Sequence, residues 1–277
     1  MKTSIRRFAL AAGLIVTATG AGVNYAYTPD ARPAGSLELV LNVAGNRLQV
    51  FEDGVHTRTY KVSVGLRGYE TPAGEYTIRE VIWNPWWHPP DSEWARGREI
   101  EPPGLSNPMG RIKLNFAPLL YIHGTVETQA LGEPASRGCV RMRNEDLIEL
   151  TRLVHSYASP KVSEELLAQL EASPKSTRNI RLDRAIKFTA HYSVAAVDNG
   201  FLVIYPDVYG KVKQQVRAEV EAALKQHGID PRSVHRPTLE RLVEKSGSRR
   251  VAISLDDLRS GTAGIVADGN DEPEPRP

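Results

Sequence analysis

Between Ser36 and Trp83 the chain alternates apolar and polar residues in four short runs, SLELVLNV, NRLQVF, TRTYKVSVG and GEYTIREVIW. This period of two constrains the fold more than any other feature, because each run buries one face and wets the other. The first two runs are separated by a short AGN turn, and Asp53-Gly54 is a hairpin signal before the third. The chain therefore opens as an antiparallel meander. RIKLNF and APLLYIH resume the strand pattern after residue 110. Between them, from Trp83 to Gly110, prolines and glycines forbid long regular elements. Trp83, Trp86 and Trp87 argue that this segment is an ordered loop covering something rather than a floppy linker.

Downstream the period changes. Asn144 reads as the N-cap of EDLIELTRLVH, with Glu145 and Asp146 in its first turn, and Ser163 as the cap of EELLAQLEA. KFTAHYSVAAV and FLVIYP flank Asp198-Asn199-Gly200, a hairpin signature. Val212, Val216, Val220 and Leu224 recur at four-residue steps up to Gly228, the pattern of an amphipathic helix with a glycine stop, and Pro237 opens another helix. The expected architecture is a mostly β domain over residues 36–150, a sandwich or barrel with few helices. A helix-rich C-terminal region containing a β-hairpin follows over 151–265, with a disordered tail over 266–277.

Residues 1–26 carry Lys2, Arg6 and Arg7 ahead of an apolar run from Phe8 to Val23 and small-residue cleavage sites, which predicts a bacterial secretory signal and a periplasmic protein. Retention of that run as an inner-membrane anchor is the alternative. With 35 Lys and Arg against 33 Asp and Glu, the formal charge is +2, too balanced for a nucleic-acid partner. The seven histidines lack ligand spacing, no P-loop or GxSxG elbow is present, and neither metal nor cofactor is expected. The basic run Lys175, Arg178, Arg181, Arg184 and Lys187 reads as a solvated face.

The chain has one cysteine, so no internal disulfide forms. Cys139 sits in Ser136-Arg137-Gly138-Cys139, a polar, glycine-containing setting unlike that of a core thiol. A cysteine attacks as thiolate and needs a base; His123, sixteen residues upstream at a strand end, is the candidate. Gly138 permits close backbone approach, and the amides of Arg137, Gly138 and Cys139 form a candidate oxyanion hole for acyl transfer. The competing reading of each isolated residue is structural: a small buried hydrophobe and a satisfied histidine.

His123-Gly124-Thr125 followed by SRGCVRM at 136–142 resembles the active-site signature of the YkuD family of L,D-transpeptidases. TPAGEY at 71–76 and NPMG at 107–110 resemble further family segments, and FLVIYPDVYG resembles a hairpin region of Gram-negative members. The resemblance implies a peptidoglycan enzyme. Cys139 would attack a tetrapeptide stem, release D-Ala and pass the acyl group to an amine of another stem or of an outer-membrane lipoprotein. His123 would be the base, oriented by the Gly124 carbonyl. Arg137 stands where the commoner pattern has a second histidine, which touches substrate placement rather than proton transfer. Arg141 is the first choice for a substrate carboxylate, with Ser136 and Arg137 beside it. Trp86, Trp87 and Tyr121 are candidates to line the donor site, with core packing as their other reading. A hydrolase using the same thioester and a non-catalytic wall-binding module are the alternative functions.

Overall fold

The computed structural model describes residues 35–267 except 160, 213, 214, 248 and 263, so the expected signal segment and most of the expected tail lie outside the described residues. Six strands follow the alternating runs of the sequence: β1 (Leu37–Asn42), β2 (Arg47–Glu52), β3 (Val55–Lys61), β4 (Gly74–Trp83), β5 (Ile112–Ala117) and β6 (Leu120–Thr125); a seventh, β7 (Val140–Arg143), follows Cys139, where no strand was expected. Helices α1 (Asn144–Ala158) and α2 (Glu164–Ala172) come next, then β8 (Arg178–His191). These strands form one sheet in the order β3-β2-β1-β8-β4-β5-β6-β7. Beyond β3 the chain stays extended, and Ser63 exchanges two backbone hydrogen bonds with Arg141 (2.9 and 2.8 Å). A further bridge joins Gly65 to Ser136. The two ends of the sheet thus meet, closing it into a barrel-like shape without a free edge at β7.

β8 falls within the range expected to be appendage, yet it lies between β1 and β4. It runs parallel to β1, Glu38 facing Lys187, and antiparallel to β4, Thr77 facing Lys187. A boundary at residue 150 therefore does not separate the two sheets. Of the basic run, Arg178, Arg181, Arg184 and Lys187 lie on this strand and are exposed, and the Lys187 ammonium meets the Glu38 carboxylate at 2.8 Å.

Inward positions carry Leu39, Leu41, Leu48, Ile78, Ile112, Leu114, Ile122 and Met142, all fully buried. Helix α1 contributes Leu147, Leu150 and Val154, spaced three and four apart so that one face enters the core. His155 lies on that face and accepts the Trp83 indole N–H at 3.2 Å. Trp83, grouped above with the loop, thus ends β4 and belongs to the core. Asn144 does not cap α1. Its Oδ1 accepts the Arg111 N–H at 2.9 Å and its Nδ2 donates to the Thr125 carbonyl at 3.2 Å, tying the loop before β5 to the end of β6. Ser163 does cap α2, accepting the Leu166 N–H at 3.3 Å.

A second sheet, order β12-β11-β10-β9, is built from β9 (Ala195–Asp198), β10 (Phe201–Ile204), β11 (Val251–Ser254) and β12 (Val266–Ala267). Residues 266 and 267, expected in the tail, pair instead with Ala252 and Val251. Asn199 and Gly200 both take positive φ (47° and 79°), as the two-residue hairpin turn requires. Helices α3 (Val216–Gln226), α4 (Arg236–Lys245) and α5 (Leu255–Ser260) cover this sheet around a core of its own, with Leu202, Val220, Leu242 and Ile253 at its centre. Val212 joins neither α3 nor that core; it packs with Ala44, Val194 and Tyr205 where the two sheets meet. Among the described residues no helix is long and apolar enough to cross a membrane.

Candidate active site

Because strands alternate, the residues between the core positions of β5, β6 and β7 face the outside of the barrel together. In register, Lys113 on β5 stands beside His123 on β6, and His123 beside Arg141 on β7. Asn115 stands beside Tyr121. Cys139 immediately precedes β7, one position before Val140, the partner of Ile122, and so comes abreast of Tyr121. His123 and Cys139 are diagonal neighbours on one face of adjacent strands, roughly 8 Å apart at Cα for ordinary strand spacings. The structure brings the sixteen-residue excursion back upon itself as the spacing allowed.

His123 is 5% exposed. Its Nδ1 lies 2.8 Å from the Gly124 carbonyl, and since a carbonyl only accepts, Nδ1 carries the proton and Nε2 keeps its lone pair. Burial pushes the imidazole down to about 4 despite that hydrogen bond, and Arg141 and Lys113 push it the same way. The Cys139 thiol is raised by burial, while the Tyr121 N–H and the charges of Arg141 and Lys113 pull it back. Both groups are therefore neutral in the resting site. The thiol lies 3.7 Å from the Leu119 carbonyl. Leu119 takes a left-handed conformation, φ 61°, in the β5–β6 turn, a strained choice for a branched residue.

The turn before Cys139 is held from within. Ser136 is buried; its hydroxyl donates to the Cys139 carbonyl at 2.5 Å and accepts the Gly138 N–H at 3.2 Å. Both expectations for these residues change as a result: Ser136 faces the turn rather than a ligand, and the Gly138 amide is engaged inside the chain rather than open to an oxyanion. Among the described residues the N–H groups of Arg137 and Cys139 meet no such partner. Gly138 has φ 102°, which strains any other residue there, and a Cβ would press on the Leu120 side chain at 3.0 Å.

The two arginines part company. Arg141 is already paired, its guanidinium 2.8 Å from the Glu127 carboxylate. Arg137 is exposed and lies between two rings, 4.3 Å from the centre of Trp94 and 5.6 Å from that of Tyr69. No carboxylate partner of Arg137 occurs among the described residues. Trp94, carried on a short 3₁₀ turn (Glu93–Ala95), is thus the loop tryptophan brought against the SRGC turn, and sequence reasoning missed it. Its only signal was proximity to the WNPWW cluster. Trp87 is buried, bridged by backbone to Glu101 and stacked under Arg98 at 4.8 Å, a packing role inside the loop. Trp86 is 46% exposed and has no ring contact among the described residues. Tyr121 faces the site: the Lys113 ammonium lies 4.8 Å over its ring. Lys113, also missed, acts on both His123 and Cys139. Among the described residues no three His, Cys, Asp or Glu side chains converge as metal ligands.

A closed, mostly antiparallel barrel with a histidine and a cysteine on neighbouring outer positions now stands beside the comparisons with known proteins. Residues 37–164 match the YkuD family, described as the L,D-transpeptidase catalytic domain. A Fuscovulum blasticum protein from the ATP synthase subunits region, named as an L,D-transpeptidase, is 30% identical over 174 residues, covering 53% of this chain and 92% of that one. The probable L,D-transpeptidase YcfS of Escherichia coli (strain K12) is 25% identical over 223 residues, covering 74% of this chain and 65% of that protein. YkuD of Bacillus licheniformis, named as an L,D-transpeptidase, is 30% identical over 127 residues, covering 46% of this chain and 63% of its own length. The chain belongs to the L,D-transpeptidase family. It spans just under two thirds of the length of YcfS and of YkuD.

Proposed function

We propose that the protein is a peptidoglycan L,D-transpeptidase that works through a thioester on Cys139, is exported by residues 1–26 and acts in the periplasm. The observation that carries this reading is the placement of Cys139 diagonally across from His123 on adjacent strands, with the His123 Nδ1 committed to the Gly124 carbonyl, which leaves Nε2 to take the thiol proton. As sulfur bonds to the carbonyl carbon of the third stem residue, that proton passes to His123, and the carbonyl oxygen becomes an anion facing the N–H groups of Arg137 and Cys139. Collapse breaks the bond to the terminal D-Ala, whose amine leaves with the proton from His123. An acceptor amine then attacks the thioester, gives its proton to His123, and the sulfur departs and recovers it.

The test is intact-protein mass after mixing with a tetrapeptide stem. The expected result is a tripeptide acyl increment on Cys139 with one equivalent of free D-Ala, and an amine-containing stem then discharges it as a cross-linked dimer. Discharge only to water would make the protein a hydrolase; absence of any increment with this donor would overturn the reading.

Within this site Arg137, rather than the occupied Arg141, is the receptor for the terminal carboxylate of the donor. Support comes from its position two residues from the nucleophile and from the rings of Trp94 and Tyr69, which lie 4.3 and 5.6 Å from the guanidinium carbon of this exposed residue. In steady-state assays Arg137→Gln raises KM for the tetrapeptide about tenfold, the worth of one charge-assisted hydrogen bond. A donor whose terminal carboxylate is amidated shows no such change between the two proteins. An equal rise for both donors would remove Arg137 from carboxylate binding.

A further inference from the structure

The segment between β10 and α3, residues 205–212, reaches across to the nucleophile turn. Tyr209 is buried there. Its hydroxyl donates to the Gly65 carbonyl at 2.8 Å and accepts the Thr71 N–H at 3.1 Å. The Thr71 hydroxyl in turn accepts the Gly65 N–H at 2.9 Å and donates to the Gly138 carbonyl at 3.0 Å. Tyr209 is itself held firmly. Its ring stacks on Tyr192 with centroids 5.3 Å apart and planes 18° apart, and its N–H donates to the Tyr192 hydroxyl at 2.9 Å. That hydroxyl donates to Asp207 at 2.6 Å, and the Lys211 ammonium lies 5.1 Å over the Tyr209 ring. Burial raises the Tyr209 phenol, which keeps the proton it donates.

The consequence follows from the planarity of one peptide bond. The Gly138 carbonyl and the Cys139 N–H belong to the same trans unit and point in opposite directions. A hydroxyl fixing the carbonyl on one side therefore aims the N–H on the other, and this N–H is one of the two candidate oxyanion donors. Resting on the acyl-transfer reading above, we propose that Tyr209 is a positioning residue for the reaction: acting through Thr71, it sets the direction of the Cys139 amide, so that residues beyond the family-matched stretch help to build the oxyanion site.

The experiment compares two reactions of Cys139 in the full chain. Acylation by p-nitrophenyl acetate passes through a tetrahedral oxyanion; alkylation by iodoacetamide does not. Tyr209→Phe removes only the hydroxyl, and the expected result is a roughly tenfold fall in the acylation rate with the alkylation rate within twofold of wild type, because a misdirected oxyanion donor costs less than a deleted one. Thr71→Val gives the same fall, Thr71→Ser restores the ratio, and the double variant Tyr209→Phe with Thr71→Val loses no more than either alone. An unchanged ratio in Tyr209→Phe overturns the proposal. So does a parallel fall of both rates with a lowered Tm, which would make Tyr209 merely structural. The ester probe requires no stem peptide, so wild-type protein that reacts with it yet ignores the tetrapeptide would fault the assigned substrate and leave the positioning role to be judged on the ratio.

Discussion

Cys139→Ala protein mixed with the tetrapeptide donor gains no mass and releases no D-Ala, its transfer rate falling by about 10⁴-fold or to background. The argument is local. All chemistry in the proposed cycle passes through one sulfur, and the cysteine is the only one in the chain, so nothing else can form the thioester. Loss of the sulfur leaves the surrounding turn intact, because the hydrogen bonds that shape it end on backbone atoms: Ser136 on the Cys139 carbonyl, Thr71 on the Gly138 carbonyl. The thiol side chain is partly exposed, so its truncation opens no cavity in the core. The variant should therefore unfold within about 2 °C of wild type. An alanine protein that still carries an acyl increment would place the nucleophile elsewhere.

How far the sequence carries to this site depends on which interactions are local. The strand meander is legible because alternation and turn residues act within a few positions, and β1 to β6 all follow it, while the four-residue β7 is too short to show a pattern. Cys139 and His123 could be named as candidates because the chain has one cysteine, in a polar glycine-containing setting, and a histidine at a strand end upstream of it. Beyond those, partners are chosen across the barrel. Nothing near residues 178–191 indicates that this stretch threads between β1 and β4, since its outward face is charged and its pairing with Glu38 spans most of the domain. Asn144 has the residue type and place of an N-cap, yet hydrogen bonds to Arg111 and Thr125 claim its amide. Arg141 carries the motif, but its occupancy by Glu127 depends on a loop folding back. Trp94 and Tyr209 reach the SRGC turn only through contacts distant in sequence, with no periodicity to announce them.

His123→Gln is expected to lose activity and gain acid tolerance together, two effects of opposite sign from one buried imidazole. Loss of the general base lowers kcat by roughly 10² to 10⁴-fold, and the residual rate then climbs with pH up to the alkaline range, because burial raises the thiol and hydroxide must ionise it unaided. In wild type the base is neutral and competent at any pH above its own value of about 4, so kcat/KM should rise through that region and stay level from pH 6 to 8. An inflection near 6.5 would indicate an imidazole open to water and would contradict this burial. The stability effect follows by linkage. A folded-state value of about 4 against an ordinary 6.5 means that the unfolded chain binds the proton more tightly, so the stabilisation is complete above pH 6.5 and is lost as pH falls towards 4. Its size is about 3 kcal/mol at 1.36 kcal/mol per pH unit. His155, lowered to about 4 by burial beside Trp83, adds a second contribution in the same window. Replacing His123 by a group that does not titrate should remove its share, so that thermal melts of His123→Gln fall less steeply between pH 6.5 and 4 than those of wild type. Melts of identical slope would mean that this imidazole titrates near its ordinary 6.5 in the folded chain, and would contradict the burial that holds it neutral.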